Sequence, residues 1–190
     1  MNNGYTLEEI DSLEEGWFFY DHAWSLLFEV IKKIEGESVL DVGCGTGIAA
    51  SIIKACQPKL KIVGVEPNDN ASEIWKSRNL NVKIGSATNL PFEDGEFDTV
   101  ISSHVIEHID SDSKAIKEIL RVSKRKAVIV VPEGDVDAKN FGSPHVHIYN
   151  RKNFSKLVSQ AMSNFNRARF SIIPHNHMSN LVAEVWNTND

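Results

Sequence analysis

A chain of 190 residues with 42% hydrophobic and 24% charged residues has the size and composition of one globular domain with its own core. Its formal net charge of −6 speaks against a general affinity for nucleic acid or for an anionic membrane surface. Only two cysteines occur, Cys44 and Cys56, with no CxxC pair, which argues against a disulfide scaffold or a structural zinc site and suits a reducing cytoplasm.

No apolar run approaches the roughly 18 residues that cross a bilayer, so no membrane insertion is expected. The opening MNNGYTLEEIDSLEEG is acidic and polar, unlike a secretory signal or a transit peptide. The short basic clusters SKRK (123–126), RK (151–152) and RAR (167–169) read as solvated faces. Without repeats, low-complexity stretches or linkers, residues 1–190 are expected to form a single domain, with 1–20 as an N-terminal extension.

In chain order, residues 21–35 place Trp24, Leu27, Phe28, Ile31 and Ile34 at the spacing of an amphipathic helix, with Asp21 as its N-cap. SVLDVG (38–43) is a short apolar run ending in glycine, which suits a buried parallel strand. GIAASIIKACQ predicts a helix ended by Pro58, KIVGVEP (61–67) a second strand, and NASEIWKSR a second helix in this alternation. VKIG (82–85) and FDTVISS (97–103) predict strands, SKAIKEILRVS (113–123) a helix, and AVIVVP (127–132) a fully apolar strand stopped by proline. The rhythm then breaks into a long loop over 133–150, followed by a helix in RKNFSKLVSQAM and two strands in ARFSIIP and LVAEVWN. Alternating strands and helices imply an α/β fold: a doubly wound, mostly parallel sheet with helices on both faces. The two late strands are expected to pair antiparallel at the sheet edge.

The stretch VLDVGCGTG sets Asp41, Gly43, Gly45 and Gly47 at alternate positions between the first strand and its helix. Glycines here let the backbone turn tightly and approach a ligand. A dinucleotide fingerprint would need a small residue at position 48, which is Ile48, and no phosphate-loop lysine is present. Nineteen residues after Gly47 the second strand ends in Glu66, a carboxylate able to accept hydrogen bonds from ribose hydroxyls.

Together with GSATNLPFEDGEFDTVISSHVIEHI and ILRVSKRKAVIVVP, these residues resemble the class I S-adenosylmethionine-dependent methyltransferases, closely over 36–135 and more loosely in HIYNRKNFSKLV. The resemblance implies S-adenosylmethionine as cofactor. Asp41 would orient the loop or meet the methionyl amine through water, and Gly43, Cys44, Gly45 and Gly47 would line the methionine and ribose. Glu66 would hold the ribose, with Pro67 and Asn68 beside the adenine. Many relatives read Gly-Asp-Ala after the third strand; here Ser86 replaces the acid, and the backbone of Ala87 still meets the adenine edge. Ser102, Ser103 and His104 would sit beside the reacting methyl. Tyr20, in the aromatic run at 17–20, is a candidate cofactor contact, although packing of the first helix explains that run as well. Cys44 reads as a small loop filler.

HVIEH (104–108) has the spacing of an inverted zinc metallopeptidase motif, but it follows a strand instead of lying within a helix. Some members of the resembled family carry acid-x-x-Glu-His here and, with a later histidine, hold a divalent ion against the acceptor. In this chain His104 replaces the first acid, with Glu107, His108 and His145 or His147 to complete a set. Magnesium prefers oxygen ligands, so no metal is assigned. If the acceptor is a hydroxyl, His104 is the candidate base. His145, His147 and Tyr149, in the loop returning over the same edge, are candidate substrate contacts; His175 and His177 read as loop residues. The chain carries no large inserted cap, so the acceptor site would come from the first helix, the 133–150 loop or a partner subunit, which makes a homodimer an open expectation. The implied activity is methyl transfer to a small molecule. A non-catalytic cofactor-binding subunit is the alternative, and a nicotinamide oxidoreductase is disfavoured by Ile48.

Overall fold

Each apolar run of the central part becomes a strand of one seven-stranded sheet, in the order β3-β2-β1-β4-β5-β7-β6. The structure is a computed structural model that describes residues 21–134, 145–162, 165, 167–173 and 179–187. The strands are β1 (Ser38–Val42), β2 (Lys61–Glu66), β3 (Val82–Ile84), β4 (Phe97–Ser103), β5 (Ser123–Pro132), β6 (Arg167–Ile173) and β7 (Asn180–Trp186). The helices are α1 (Asp21–Ile31), α2 (Ile48–Cys56), α3 (Ser72–Ser77), α4 (Asp112–Val122) and α5 (Arg151–Ala161), with a 3₁₀ turn at Ile106–His108.

β1 through β5 pair in parallel. Because helices cover both faces, the middle strands are apolar on both sides, and Val39, Leu40 and Val42 are all fully buried. On one face Leu40, Val100 and Ile129 pack with Ile116 and Ile119 of α4 and with Phe154 and Val158 of α5. On the other, Val39, Ile101 and Val128 meet Leu27, Val30 and Ile31 of α1 and Ile53 of α2. The strand order reverses between β1 and β4, and such a switch point opens a crevice at the strand carboxyl ends.

Three expectations are refined. The late strands do pair antiparallel, but β7 enters the sheet between β5 and β6, so the antiparallel strand lies one place inside the edge. The reason is hydrophobic: six of its seven residues are buried, whereas β6 alternates with exposed Arg167 and Arg169 and takes the edge. Helix α1 buries Leu26, Leu27, Val30 and Ile31, while Phe28 turns outward at 47% exposure and Ile34 packs from beyond the helix end. β5 starts at Ser123, directly after α4, so SKRK is strand; Lys124 and Arg125 are exposed as a solvated face would be, but Lys126 is 3% exposed and paired with Glu184 and Glu35. No helix among the described residues is long and apolar enough to cross a membrane.

Candidate active site at the carboxyl ends of β1, β2 and β4

The turn from β1 to α2 is held on three sides. Gly43 and Cys44 donate their N–H groups to the Val65 carbonyl at 2.8 and 3.2 Å, which continues the β1–β2 ladder into the turn. Gly45 donates its N–H to Glu66 Oε2 at 2.9 Å. Its carbonyl accepts from the Trp75 indole at 2.7 Å, and the Thr46 carbonyl accepts from the Arg78 guanidinium at 2.8 Å. Gly43, Gly45 and Gly47 all have positive φ, which glycine adopts without steric cost. A Cβ on Gly43 would meet Val105 Cγ2 at 2.4 Å, whereas one on Gly45 would stand in open space. Cys44 packs against Gly64, and burial drives its thiol far above the ordinary range, so it is an inert filler.

Two carboxylates converge on this turn. Asp41 is 4% exposed and Glu66 9%. Burial, and then the charge of Glu66, push Asp41 up to about 7; burial raises Glu66 too, against the Gly45 N–H bond that lowers it. Asp41 Oδ2 has no hydrogen-bond partner among the described residues, and neither has Ser102 Oγ at the end of β4. Pro67 and Asn68 follow Glu66 at the same edge, and Asn68 Oδ1 accepts from the Asn70 N–H at 3.0 Å. Ser86 and Ala87 follow β3; Ser86 Oγ lies 2.9 Å from Thr88 Oγ1, and Ala87 packs against the core.

Past Ser103, His104 adopts a left-handed backbone with φ 56, and its Nε2 lies 2.7 Å from Asn180 Oδ1. Glu107 is 1% exposed, and burial pushes its carboxyl up to about 8. Its backbone carbonyl accepts from the Val146 and His147 N–H groups at 2.9 and 3.1 Å, which seats the returning segment on the 3₁₀ turn. His145 contacts the His108 ring at a centroid distance of 4.7 Å, and burial holds its imidazole below the ordinary value. His147 Nε2 lies 3.3 Å from the Asp110 carbonyl. Tyr149 is 3% exposed and donates its hydroxyl to Asp112 Oδ2 at 3.0 Å, so it faces the core and α4. Tyr20, the loop over 135–144, His175 and His177 lie outside the described residues.

Residues 40–131 match the family described as methyltransferase domain. The chain is 32% identical over 119 residues to demethylmenaquinone methyltransferase of Thermotoga maritima, covering 61% of this chain and 52% of that protein. It is 34% identical over 102 residues to norajmaline N-methyltransferase of Rauvolfia serpentina, covering 50% of this chain and 35% of that protein. A solved S-adenosylmethionine-dependent methyltransferase of Thermotoga maritima, a possible histamine N-methyltransferase, superposes with a TM-score of 0.74 at 21% identity, covering 95% of this chain and 98% of that one. The chain has the fold of the S-adenosylmethionine-dependent methyltransferases, and its central segment, just under half of its length, matches the methyltransferase-domain family. The chain spans about half the length, or less, of the curated relatives it matches.

The orphaned oxygens of Asp41 and Ser102 and the open space above Gly45 fit the cofactor of such a methyltransferase domain. The divalent ion that the sequence resemblance raised fits less well. Glu107, His108 and His145 bring one carboxylate and two imidazoles within 4.8 Å of one another, a nitrogen-rich donor set that magnesium disfavours. His104 does not belong to this set and contacts Asn180 through its Nε2. Trp75, Arg78 and Asn180 were not legible as site residues: each acts on a group 30 or more residues away, and none sits in a local pattern that marks it.

Proposed function

We propose that the chain binds S-adenosylmethionine in this crevice and supports transfer of its methyl group to a small-molecule acceptor. The observation that carries the reading is the pair of buried carboxylates, Asp41 and Glu66, around a turn whose glycine Gly45 borders open space. Two such groups side by side disfavour each other's charge, and a ligand bearing a cationic centre and hydroxyl donors relieves both. The two relatives named for demethylmenaquinone and norajmaline support an acceptor of small-molecule size.

When bound, the cofactor supplies a methyl group activated by its sulfonium. Glu66, fixed by the Gly45 N–H, accepts hydrogen bonds from the ribose hydroxyls, each worth roughly 1.5–3 kcal/mol. Asp41 faces the methionyl amine, Ser102 and Ser103 flank the methionine arm, and Gly43, Cys44 and Gly47 shape the turn. Pro67, Asn68, Ser86 and Ala87 border the adenine, with Tyr20 as a further contact. His104 takes the proton of a hydroxyl acceptor, and His145 and His147, with Tyr149 behind them, orient that acceptor.

The test is calorimetry with S-adenosylmethionine, S-adenosylhomocysteine and NAD. The first two are expected to bind, and Glu66→Ala is expected to weaken them at least tenfold, about 1.4 kcal/mol. Binding of NAD alone overturns the reading, and an unchanged affinity in Glu66→Ala overturns the placement of the ribose.

A further inference from the structure

The turn proposed to border the adenine, at residues 86–89, is bonded to itself. The Asn89 N–H donates to the Ser86 carbonyl at 2.9 Å, and the Thr88 N–H donates to Ser86 Oγ at 3.2 Å. Its place beside the sheet is therefore set by Ala87, which packs against the core, and by its two ends. At the first end Gly85 donates its N–H to the Glu66 carbonyl at 2.9 Å. A Cβ on Gly85 would lie 2.8 Å from Pro91 Cδ, so the proline ring rests directly on the glycine. At the second end Leu90, Pro91 and Phe92 meet α4, where one guanidinium holds them. Arg121 Nη2 donates to the Leu90 carbonyl at 3.1 Å, and Nη1 donates to the Phe92 carbonyl at 2.8 Å and to Asp94 Oδ1 at 2.8 Å. Glu118 completes the clamp. Its carboxylate accepts from Arg121 Nε at 2.7 Å and Nη2 at 2.8 Å, and its Oε2 also accepts from the Leu90 N–H at 2.9 Å. A planar guanidinium, with five donors in a fixed fork, serves all these acceptors at once, whereas an ammonium is a point charge with no such fork.

We infer that Arg121 is a positioning residue for the adenine end of the cofactor: by fixing the carbonyls of Leu90 and Phe92 it seats Pro91 on Gly85 and so sets the turn that the base meets. The inference rests on the methyl-transfer reading and on its placement of the adenine at Ser86 and Ala87. Among the described residues Arg121 has no bond to the turn itself, so its effect reaches the base through residues 90–92. The contacts proposed for the ribose and the methionyl amine come from Glu66 and Asp41, on β2 and β1. Loosening Arg121 therefore falls on the base selectively.

The experiment measures two ligands by calorimetry, with urea midpoints alongside: S-adenosylhomocysteine, and S-ribosylhomocysteine, which keeps the ribose and the homocysteine arm and lacks the base. The native chain is expected to prefer S-adenosylhomocysteine. In Arg121→Lys that preference is expected to shrink by at least about threefold, while S-ribosylhomocysteine affinity stays within about twofold of native. An arginine that merely stabilises the fold would weaken both ligands alike. Equal losses for the two ligands, or an unchanged affinity for S-adenosylhomocysteine, overturn the inference. Where lysine prevents folding, Glu118→Gln takes its place; it removes the charge that holds the guanidinium and keeps an acceptor toward Leu90. The preference is expected to shrink there too, and an unmoved preference overturns the inference equally. Failure of the native chain to bind S-adenosylhomocysteine overturns the methyl-transfer reading and the inference together, whereas a native preference that survives the substitution overturns the inference alone.

Discussion

Asp41 is the residue at which the site works against the fold. In an unfolded chain its carboxyl ionises near about 3.9; in the folded one, burial first and the charge of Glu66 second raise it to about 7. Between those values the folded state holds a proton that the unfolded state has released. Stability therefore falls as the pH rises from about 4 to about 7, by at most roughly 4 kcal/mol from this group. Glu66, also raised by burial, contributes with the same sign. In Asp41→Asn the share belonging to Asp41 disappears, so urea denaturation at about pH 4.5 and about pH 7 should show a smaller loss of stability than in the native chain. Equal losses in the two proteins would contradict a protonated Asp41. The same desolvation that weakens the free protein is relieved by a cationic ligand, which links the cost at Asp41 to the proposed occupant of the crevice.

The element that carries this site is the β1–α2 turn, and its glycines are not interchangeable. A methyl group on Gly43 would run into Val105 at 2.4 Å and would also sit at φ 72. Gly43→Ala combines left-handed strain with overpacking and is expected to cost about 2–4 kcal/mol. A methyl on Gly45 meets nothing within 4 Å, so Gly45→Ala should lose only the backbone share of that stability and fall more in S-adenosylhomocysteine affinity than in urea midpoint. Equal midpoints for the two variants would contradict this division. The turn was legible in the sequence because its signals are local: an apolar strand, alternating glycines, an apolar helix, and Glu66 at the end of the next strand. Trp75 and Arg78 were not, since a tryptophan and an arginine in a short amphipathic helix look ordinary until the fold sets them against the carbonyls of Gly45 and Thr46. Helix α1 shows the same limit: its apolar residues cover more than one face, and only the sheet beneath decides that Val30 turns inward and Phe28 outward.

Across the whole molecule, the open site at the strand carboxyl ends is balanced by a closed ionic network toward the amino ends. Lys126 on β5 lies 2.9 Å from Glu184 on β7 and 3.0 Å from Glu35 after α1. Lys33 adds a second cation at 2.9 Å from Glu184, and the Trp186 indole donates to Glu35 at 3.1 Å beneath the Lys126 ammonium. The basic run SKRK reads as solvated because three consecutive residues, Lys124 to Lys126, carry charge, and Lys124 and Arg125 are indeed exposed; the burial of Lys126 follows only from β5 and β7 pairing with Lys126 opposite Trp186. The Lys126 and Glu184 side chains are 4% and 5% exposed, and removing one strands the other in a poorly solvated place. Lys126→Met and Glu184→Leu are each expected to cost about 3 kcal/mol in urea denaturation. The double variant replaces the pair with apolar volume and should lose less than the sum of the two by at least about 1 kcal/mol. S-adenosylhomocysteine affinity should stay within about twofold in all three, because the network touches none of the residues at the carboxyl-end crevice. Strict additivity would mean that the ions are solvated independently, and the clamp between α1, β5 and β7 would then rest on its apolar contacts alone.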